Sequence, residues 1–185
     1  MQFLLAVLLA AKIVVPYVEH TEEDVRIVAE AAIRENESTG KNEDENEQVL
    51  IATMAVIANR MKSGEWGGSS AKEVIFAKGQ YASPTRKGIG HTSVSDRILQ
   101  LSEEVLTYGT NVPEYVIYQS MQSKLGTVWK CIDGEYFATS GGHYMEGKDI
   151  HIETNKHAYI KQCFDEFRKR FCKTISQSIK KYCTF

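Results

Sequence analysis

The chain has 185 residues, enough for one domain with a hydrophobic core and an additional tail. Its composition, 43% hydrophobic and 25% charged, excludes a largely disordered protein. The net charge of −2 is unevenly distributed, since residues 1–147 carry −7 and residues 148–185 carry +5.

The first element, within residues 1–20, is apolar from Phe3 to Ala11 and ends at Pro16, which interrupts helices. No basic residue precedes the apolar run and no small-x-small cleavage site follows it, unlike in a secretory signal. The run is also short for a membrane span. Three interpretations remain open: a docked helix, a signal or weak anchor, and a partner-binding segment.

Helical signals dominate the first half of the chain. Thr21 is a predicted N-cap, and the acidic residues after it favour the positive end of a helix dipole, so a helix should run to about Glu35. Residues 37–47 are acidic and lack periodicity, which predicts a loop. Residues 47–64 are apolar almost all round, which is typical of a helix at the centre of a core, with Gly64 as its C-cap.

The pattern then changes from helical to β. Residues 71–77 and 95–109 predict two more helices, joined by a long loop of the kind that is often functional. Residues 114–145 are rich in aromatic and β-branched side chains, and Asp133–Gly134 is typical of a tight hairpin turn. The predicted fold class is therefore α+β, with helices followed by a small antiparallel sheet.

The C-terminal segment, residues 148–185, is basic and amphipathic. From Asn155 to Tyr182, apolar residues recur at helical spacing while Lys and Arg occupy the other face, which predicts one long helix. The favoured interpretation is a helix docked on the domain through its apolar stripe. The alternative is that its basic face binds an anionic wall polymer, a membrane or a protein, and no nucleic acid is expected.

The sequence lacks the motifs of several common catalytic and metal-binding sites. The histidines lack metal-site spacing, the acidic residues 43–47 lack the EF-hand pattern, and there is no GxSxG motif. No metal and no cofactor are expected. The four cysteines form no CxxC pair and are interpreted as buried free thiols, with a disulfide framework as the less favoured alternative.

The remaining candidate for catalysis is a carboxylate at the end of a helix. Such a residue is most often solvated, but Glu35 is delivered by a helix with an apolar face and precedes a loop, and the next helix offers apolar walls. Apolar surroundings disfavour the charged form, so they raise the pKa of a glutamic acid and allow it to donate a proton near neutrality.

Four segments in order resemble the SleB/CwlJ-type cell wall hydrolases, a family of spore-cortex-lytic enzymes with phage relatives. They are "EDVRIVAEAAIREN", "VLIATMAVIANRM" with its Asn59-Arg60, "AKEVIFAKGQY", and the pair "EYVIYQS" and "GGHYM". The resemblance covers roughly residues 22–146. The family's usual second glutamate, four residues after the first, is Thr39 here, and Tyr81 replaces a common Phe.

The resemblance implies a lysozyme-like domain over residues 21–147 that cleaves the bond from N-acetylmuramic acid to N-acetylglucosamine in peptidoglycan glycan strands. It implies Glu35 as the catalytic acid, with Glu30 and Glu37 as alternatives, and a lytic transglycosylase that needs one glutamate. The residues implied to line the substrate are Gln80, Tyr81, Tyr118 and His143. Asn59 is interpreted as a structural hydrogen-bond hub.

The implied location is the bacterial cell envelope or a phage virion. A second hypothesis is an inactive virion or envelope structural protein that retains the fold.

Overall fold

The computed structural model describes residues 15–37, 43–121, 126–140, 151–162, 164–165 and 168. One compact unit spans Pro16–Asn155, and a second comprises Met1–Val15 and Lys156–Phe185. In the second unit, residues 156–162 are helical. The apolar segment before Val15 and most of the predicted C-terminal helix lie outside the described residues.

Helices precede a small sheet in the unit Pro16–Asn155, which confirms the α+β class. The helices are α1 (Glu22–Glu35), α2 (Glu43–Ser63), α3 (Ala71–Phe76), α4 (Ser83–Gly88) and α5 (Asp96–Tyr108), and the strands are β1 (Val116–Ser120), β2 (Thr127–Ile132) and β3 (Glu135–Thr139). Within the described ranges, every helix is too short or too polar to span a bilayer.

Side-chain caps determine where the helices begin. At α1 the Thr21 hydroxyl accepts from the Asp24 N–H, and the Asp24 carboxylate accepts from the Thr21 N–H at 3.0 Å. The other carboxylate oxygen of Asp24 accepts from the Ala71 N–H at 2.8 Å, so the same residue fixes the start of α3. Ser95 caps α5 as predicted, and Gly109 follows its end with φ +71°.

Helix α2 forms the centre of the core. All residues from Val49 to Met61 are buried, and the helix packs against α1, α3, α5 and β1. This confirms the prediction made from its apolar surface. Gly64 follows with φ +69°, in the left-handed region expected of a helix-ending glycine.

Three predictions were wrong. Residues 43–47 are helical and not a loop, because acidic residues suit the first turn of the helix that the apolar run continues. The loop 78–93 contains α4, which begins beside Pro84, a residue suited to a first helical turn. Cys131 is a free thiol, as interpreted, but it is exposed, because it pairs with Tyr136 on the face of the sheet opposite to the buried Phe137. The other three cysteines lie outside the described residues.

The sheet is antiparallel with strand order β1-β3-β2, so β3 is central. Asp133 and Gly134 join β2 to β3 with φ of 45° and 87°, which confirms the predicted hairpin turn. Asn59 near the end of α2 donates to the Pro113 and Val116 carbonyls at 3.0 and 2.9 Å, and accepts from the Tyr17 hydroxyl at 2.7 Å. Asn59 is therefore the structural hub that the sequence predicted.

Candidate active site

Glu35 is the last residue of α1 and its side chain is half-buried. Its Oε1 accepts a hydrogen bond from the Thr85 hydroxyl of α4 at 2.5 Å. Thr85 itself is buried, so one oxygen of the carboxylate is fixed by a donor that cannot exchange freely for water. This contact orients the carboxylate relative to α4.

The chain is fixed directly after Glu35. Asn36 ends α1 and is only 4% exposed. Its side-chain amide donates to the Ala32 carbonyl at 2.7 Å and to the Thr53 hydroxyl in α2 at 2.9 Å. The helix therefore stops against the central helix of the core, and Glu35 is held at a rigid point although it precedes a loop.

Tyr81 and Arg60 lie on a second side of Glu35. The guanidinium of Arg60 is 5.3 Å from the centre of the Tyr81 ring. Burial raises the pKa of Tyr81 to about 12, the charge of Arg60 opposes the rise, and the negative charge of Glu35 adds to it. Tyr81 is thus close enough to both Arg60 and Glu35 for their charges to act on its hydroxyl group, and the structure places two of the predicted site residues near each other.

Arg60 also connects the site to the sheet. Its Nε donates to the Ile117 carbonyl of β1 at 2.7 Å, and its guanidinium lies 5.3 Å from the centre of the Trp66 ring. Trp66 in turn meets Tyr118 edge to face, with 5.3 Å between ring centres. Tyr118, another predicted residue, is therefore linked to Tyr81 through Trp66 and Arg60.

A second carboxyl group, Glu135, faces Glu35 from the sheet. It is the first residue of the central strand β3 and only 3% exposed. Burial raises the pKa of Glu135, the adjacent Gln119 amide lowers it, and the negative charge of Glu35 raises it further. Glu35 is thus near enough for its negative charge to disfavour the ionisation of Glu135.

The Gln119 amide beside Glu135 has unused hydrogen-bonding capacity. Both Nε2 and Oε1 are buried, and neither has a partner at full hydrogen-bond geometry. Gln119 therefore approaches Glu135 closely enough to influence its pKa without completing a hydrogen bond. A buried amide in this state is an exception among folded proteins, and here it lies next to a buried carboxyl group.

We call Glu35, Tyr81, Thr85, Arg60 and Glu135 the Glu35 cluster. The sequence predicted Glu35 and Tyr81 as site residues and missed the other three. Glu135 carried a signal, because it directly follows the Asp-Gly turn and shares a strand face with the fully buried Phe137. Nothing in the sequence pattern marked Thr85 or Arg60 as neighbours of Glu35.

The two alternative acids have other roles. Glu30 is 1% exposed, and its carboxylate accepts from the Gly90 N–H and lies 3.3 Å from the Arg26 guanidinium. One of its oxygens therefore holds the loop after α4, and the other holds the side chain of Arg26 on the surface. Glu37 is exposed and forms an ion pair with Arg34.

Of the two remaining predicted substrate residues, Gln80 and His143, the structure describes only Gln80. Gln80 is half-buried in the turn after α3, where its N–H donates to the Ala77 carbonyl at 3.2 Å. Its side chain forms no hydrogen bond with another described residue. His143 lies outside the described residues.

In the part of the chain that the structure describes, no three His, Cys, Asp or Glu side chains converge as a metal site. No family model, curated protein or solved structure matches the chain.

Proposed function

We propose that the chain is a glycosidase that cleaves the N-acetylmuramic acid to N-acetylglucosamine bond of peptidoglycan, with Glu35 as its acid. One observation carries this proposal: the half-buried carboxylate of Glu35 stands at a fixed helix end, where the buried Thr85 hydroxyl orients it. A single positioned glutamate can serve as general acid and then as general base in glycosidic bond cleavage. The resemblance to SleB/CwlJ-type hydrolases leads to the same reaction.

Proton transfer would proceed through Glu35, the more accessible of the two carboxyl groups. Its proton passes to the leaving glycosidic oxygen as the bond from that oxygen to the anomeric carbon breaks. In a lytic transglycosylase, the muramic 6-hydroxyl then attacks the same carbon and returns its proton to Glu35. The glutamate ends in its starting state, and no water is consumed.

Glu135 would act as a positioning residue. It is too deeply buried to reach a sugar, but its carboxyl group repels the charge of Glu35 when both are ionised. Because burial raises the pKa of Glu135, that carboxyl group keeps its proton to higher pH than an isolated glutamic acid would, and Glu135 therefore limits the negative charge near Glu35.

The surroundings of the cluster suit an acetylated sugar. Trp66 and Tyr118 present aromatic surfaces, and Arg60 fixes Trp66 from one side. We propose Tyr81 and Tyr118 as substrate-lining residues.

Two wider features belong to the same proposal. The helices around α2, followed by a three-stranded sheet, would form a lysozyme-like domain. The basic segment 148–185 would continue as an amphipathic helix and bind an anionic wall polymer, a membrane or a protein. Both features suit a protein that works on the bacterial cell envelope.

The test is product analysis. The full-length protein is incubated with purified peptidoglycan, and the soluble fragments are identified by mass spectrometry, with Glu35→Gln in parallel. Anhydro-muropeptides would support the transglycosylase and new reducing ends a hydrolytic muramidase. No products from the wild-type protein would refute the proposal and favour an inactive structural protein.

A further inference from the structure

A cavity of about 750 Å³ lies beside the end of α1, and Glu35 is not part of its wall. Residues from the last turn of α1, from α4 and from the loop after α4 line it. Its volume is in the range that holds a small organic ligand or a short peptide. The cavity therefore offers a binding site distinct from the Glu35 cluster.

Cationic side chains outnumber acidic ones in the wall. Arg34 and Lys87 contribute positive charge, whereas Glu37 is the single carboxylate of the lining. Lys87 is exposed and pairs with no acidic side chain among the described residues. The cavity thus favours a negatively charged ligand.

Arg34 has capacity for such a ligand. Its Nη1 binds the Glu37 carboxylate, but its buried Nε has no hydrogen-bond partner. The side chain lies flat against Gly88, where a Cβ would stand only 2.5 Å from the Arg34 Nε. Gly88 therefore shields Nε and holds the side chain in place, and a ligand carboxylate would bind the Nη groups of this 28% exposed side chain, which lines the cavity.

The rest of the lining is suited to a peptide. Ile33 and Pro84 supply apolar surface, and Ser83 and Ser93 supply hydroxyl groups. A wall that combines apolar, hydroxyl and cationic groups matches a short chain of amides that ends in, or carries, free carboxylates.

The cavity and the Glu35 cluster are neighbours. Arg34 and Glu35 are consecutive, so their side chains leave α1 about 100° apart around its axis. Helix α4 touches both, because Thr85 binds Glu35 while Lys87 and Gly88 line the cavity. One branched substrate could occupy both sites.

We propose that this cavity binds the carboxylate-bearing stem peptide of the glycan strand whose sugar lies at Glu35. This inference rests on the proposed function for the identity of the peptide. The peptide would hold the substrate through Arg34 and Lys87, and would raise the preference of the enzyme for glycan that still carries stems.

The binding test uses full-length Glu35→Gln, which cannot consume substrate, and the probe L-alanyl-γ-D-glutamyl-L-lysine. Isothermal titration calorimetry compares this peptide with the same peptide amidated at both carboxylates. We expect the free form to bind about tenfold more tightly, because charged hydrogen bonds to arginine are lost on amidation. Equal affinities, or no binding of either form, would overturn the inference.

Charge variants test which residues bind. Lys87→Gln and Arg34→Gln are added separately to the Glu35→Gln protein. Each should weaken binding of the free peptide by about three- to tenfold. Lys72→Gln is the matched control, since Lys72 is 68% exposed on α3 and outside the cavity. Because Lys87 is exposed, its variant tests the site even if Arg34→Gln perturbs folding. An equal loss in Lys72→Gln would contradict the assignment.

The last arm separates the two proposals. The wild-type protein is given intact peptidoglycan and glycan strands from which an amidase has removed the stems. We expect the wild-type protein to cleave the intact peptidoglycan faster than the stem-free strands. We expect Lys87→Gln to abolish this difference in rate. Equal cleavage of both would overturn the stem-peptide site alone, whereas peptide binding without any cleavage would refute the glycosidase and leave the binding site in place.

Discussion

Glu35→Gln is the change that tests the proposed chemistry most directly. The amide has nearly the same shape as the carboxylate and can still accept the Thr85 hydrogen bond. It removes the negative charge that acts on Glu135 and Tyr81, and it cannot donate the catalytic proton. The variant therefore separates the chemical role of Glu35 from its structural role.

The expected magnitudes differ strongly between activity and stability. Loss of a general acid lowers the rate by about 10²–10⁴, or roughly 3–5 kcal/mol of transition-state free energy. The hydrogen bond from Thr85 weakens by about 1 kcal/mol when its acceptor becomes neutral, and the relief of repulsion from Glu135 offsets part of this loss. A net change within about 1 kcal/mol shifts the Tm by at most about 2–4 °C in a chain of this size.

The assay follows the release of soluble muropeptides from purified peptidoglycan, and calorimetry supplies the Tm. Glu23→Gln is the matched control: Glu23 lies on the same helix, is 71% exposed, and should leave the activity unchanged, with only a small fall in Tm from the lost charge in the first helical turn. A Glu35→Gln protein that clears cell walls at the wild-type rate would refute the assignment. A fall in Tm much beyond the expected shift would show that Glu35 is mainly structural.

Three further substitutions have distinct expected outcomes. Glu135 has a higher pKa in the folded state than in the unfolded chain, where the pKa of glutamate is about 4.3. The contribution of Glu135 to wild-type stability therefore falls as the pH rises above that value. Glu135→Gln lacks this loss, so its Tm should exceed that of the wild type at about pH 8 but not at about pH 4. A Tm difference independent of pH would count against the carboxyl pair. Glu30→Gln weakens the contacts to Gly90 and Arg26 and should destabilise the fold by about 1–2 kcal/mol in urea titrations, whereas an unchanged midpoint would exclude a structural role. Asn59→Leu removes three hydrogen bonds and should cost about 2–4 kcal/mol, measured in the same way; a smaller loss than Glu30→Gln would show that Asn59 is not a hub.

Local signals in the sequence were sufficient for several elements. Thr21 and Asp24 fixed the start of α1, and the continuous apolar surface of α2 placed it in the core. Asp133–Gly134 identified the hairpin, because few residue pairs tolerate the positive φ values that its turn requires. Each of these features depends on neighbours a few residues away, and for that reason it could be read without a structure.

Short polar segments were predicted less well. Helix α4 has only six residues and little hydrophobic pattern, and it is stabilised by packing on α1. The acidic start of α2 showed no periodicity, although the helix extends into it. In both places, contacts with the rest of the fold outweigh a weak local preference.

The sequence by itself determined that an amphipathic helix delivers a carboxylate at Glu35, because capping and periodicity act within one element. Only the tertiary structure decided what surrounds that carboxylate. Glu135 comes from a strand far along the chain and approaches Glu35 because Asn59 and Arg60 fix the sheet to α2. Thr85 reaches Glu35, and the cavity at Arg34 forms, because α4 packs on the end of α1. Packing brings together groups that are distant in sequence, and local sequence patterns do not show which of these groups will meet.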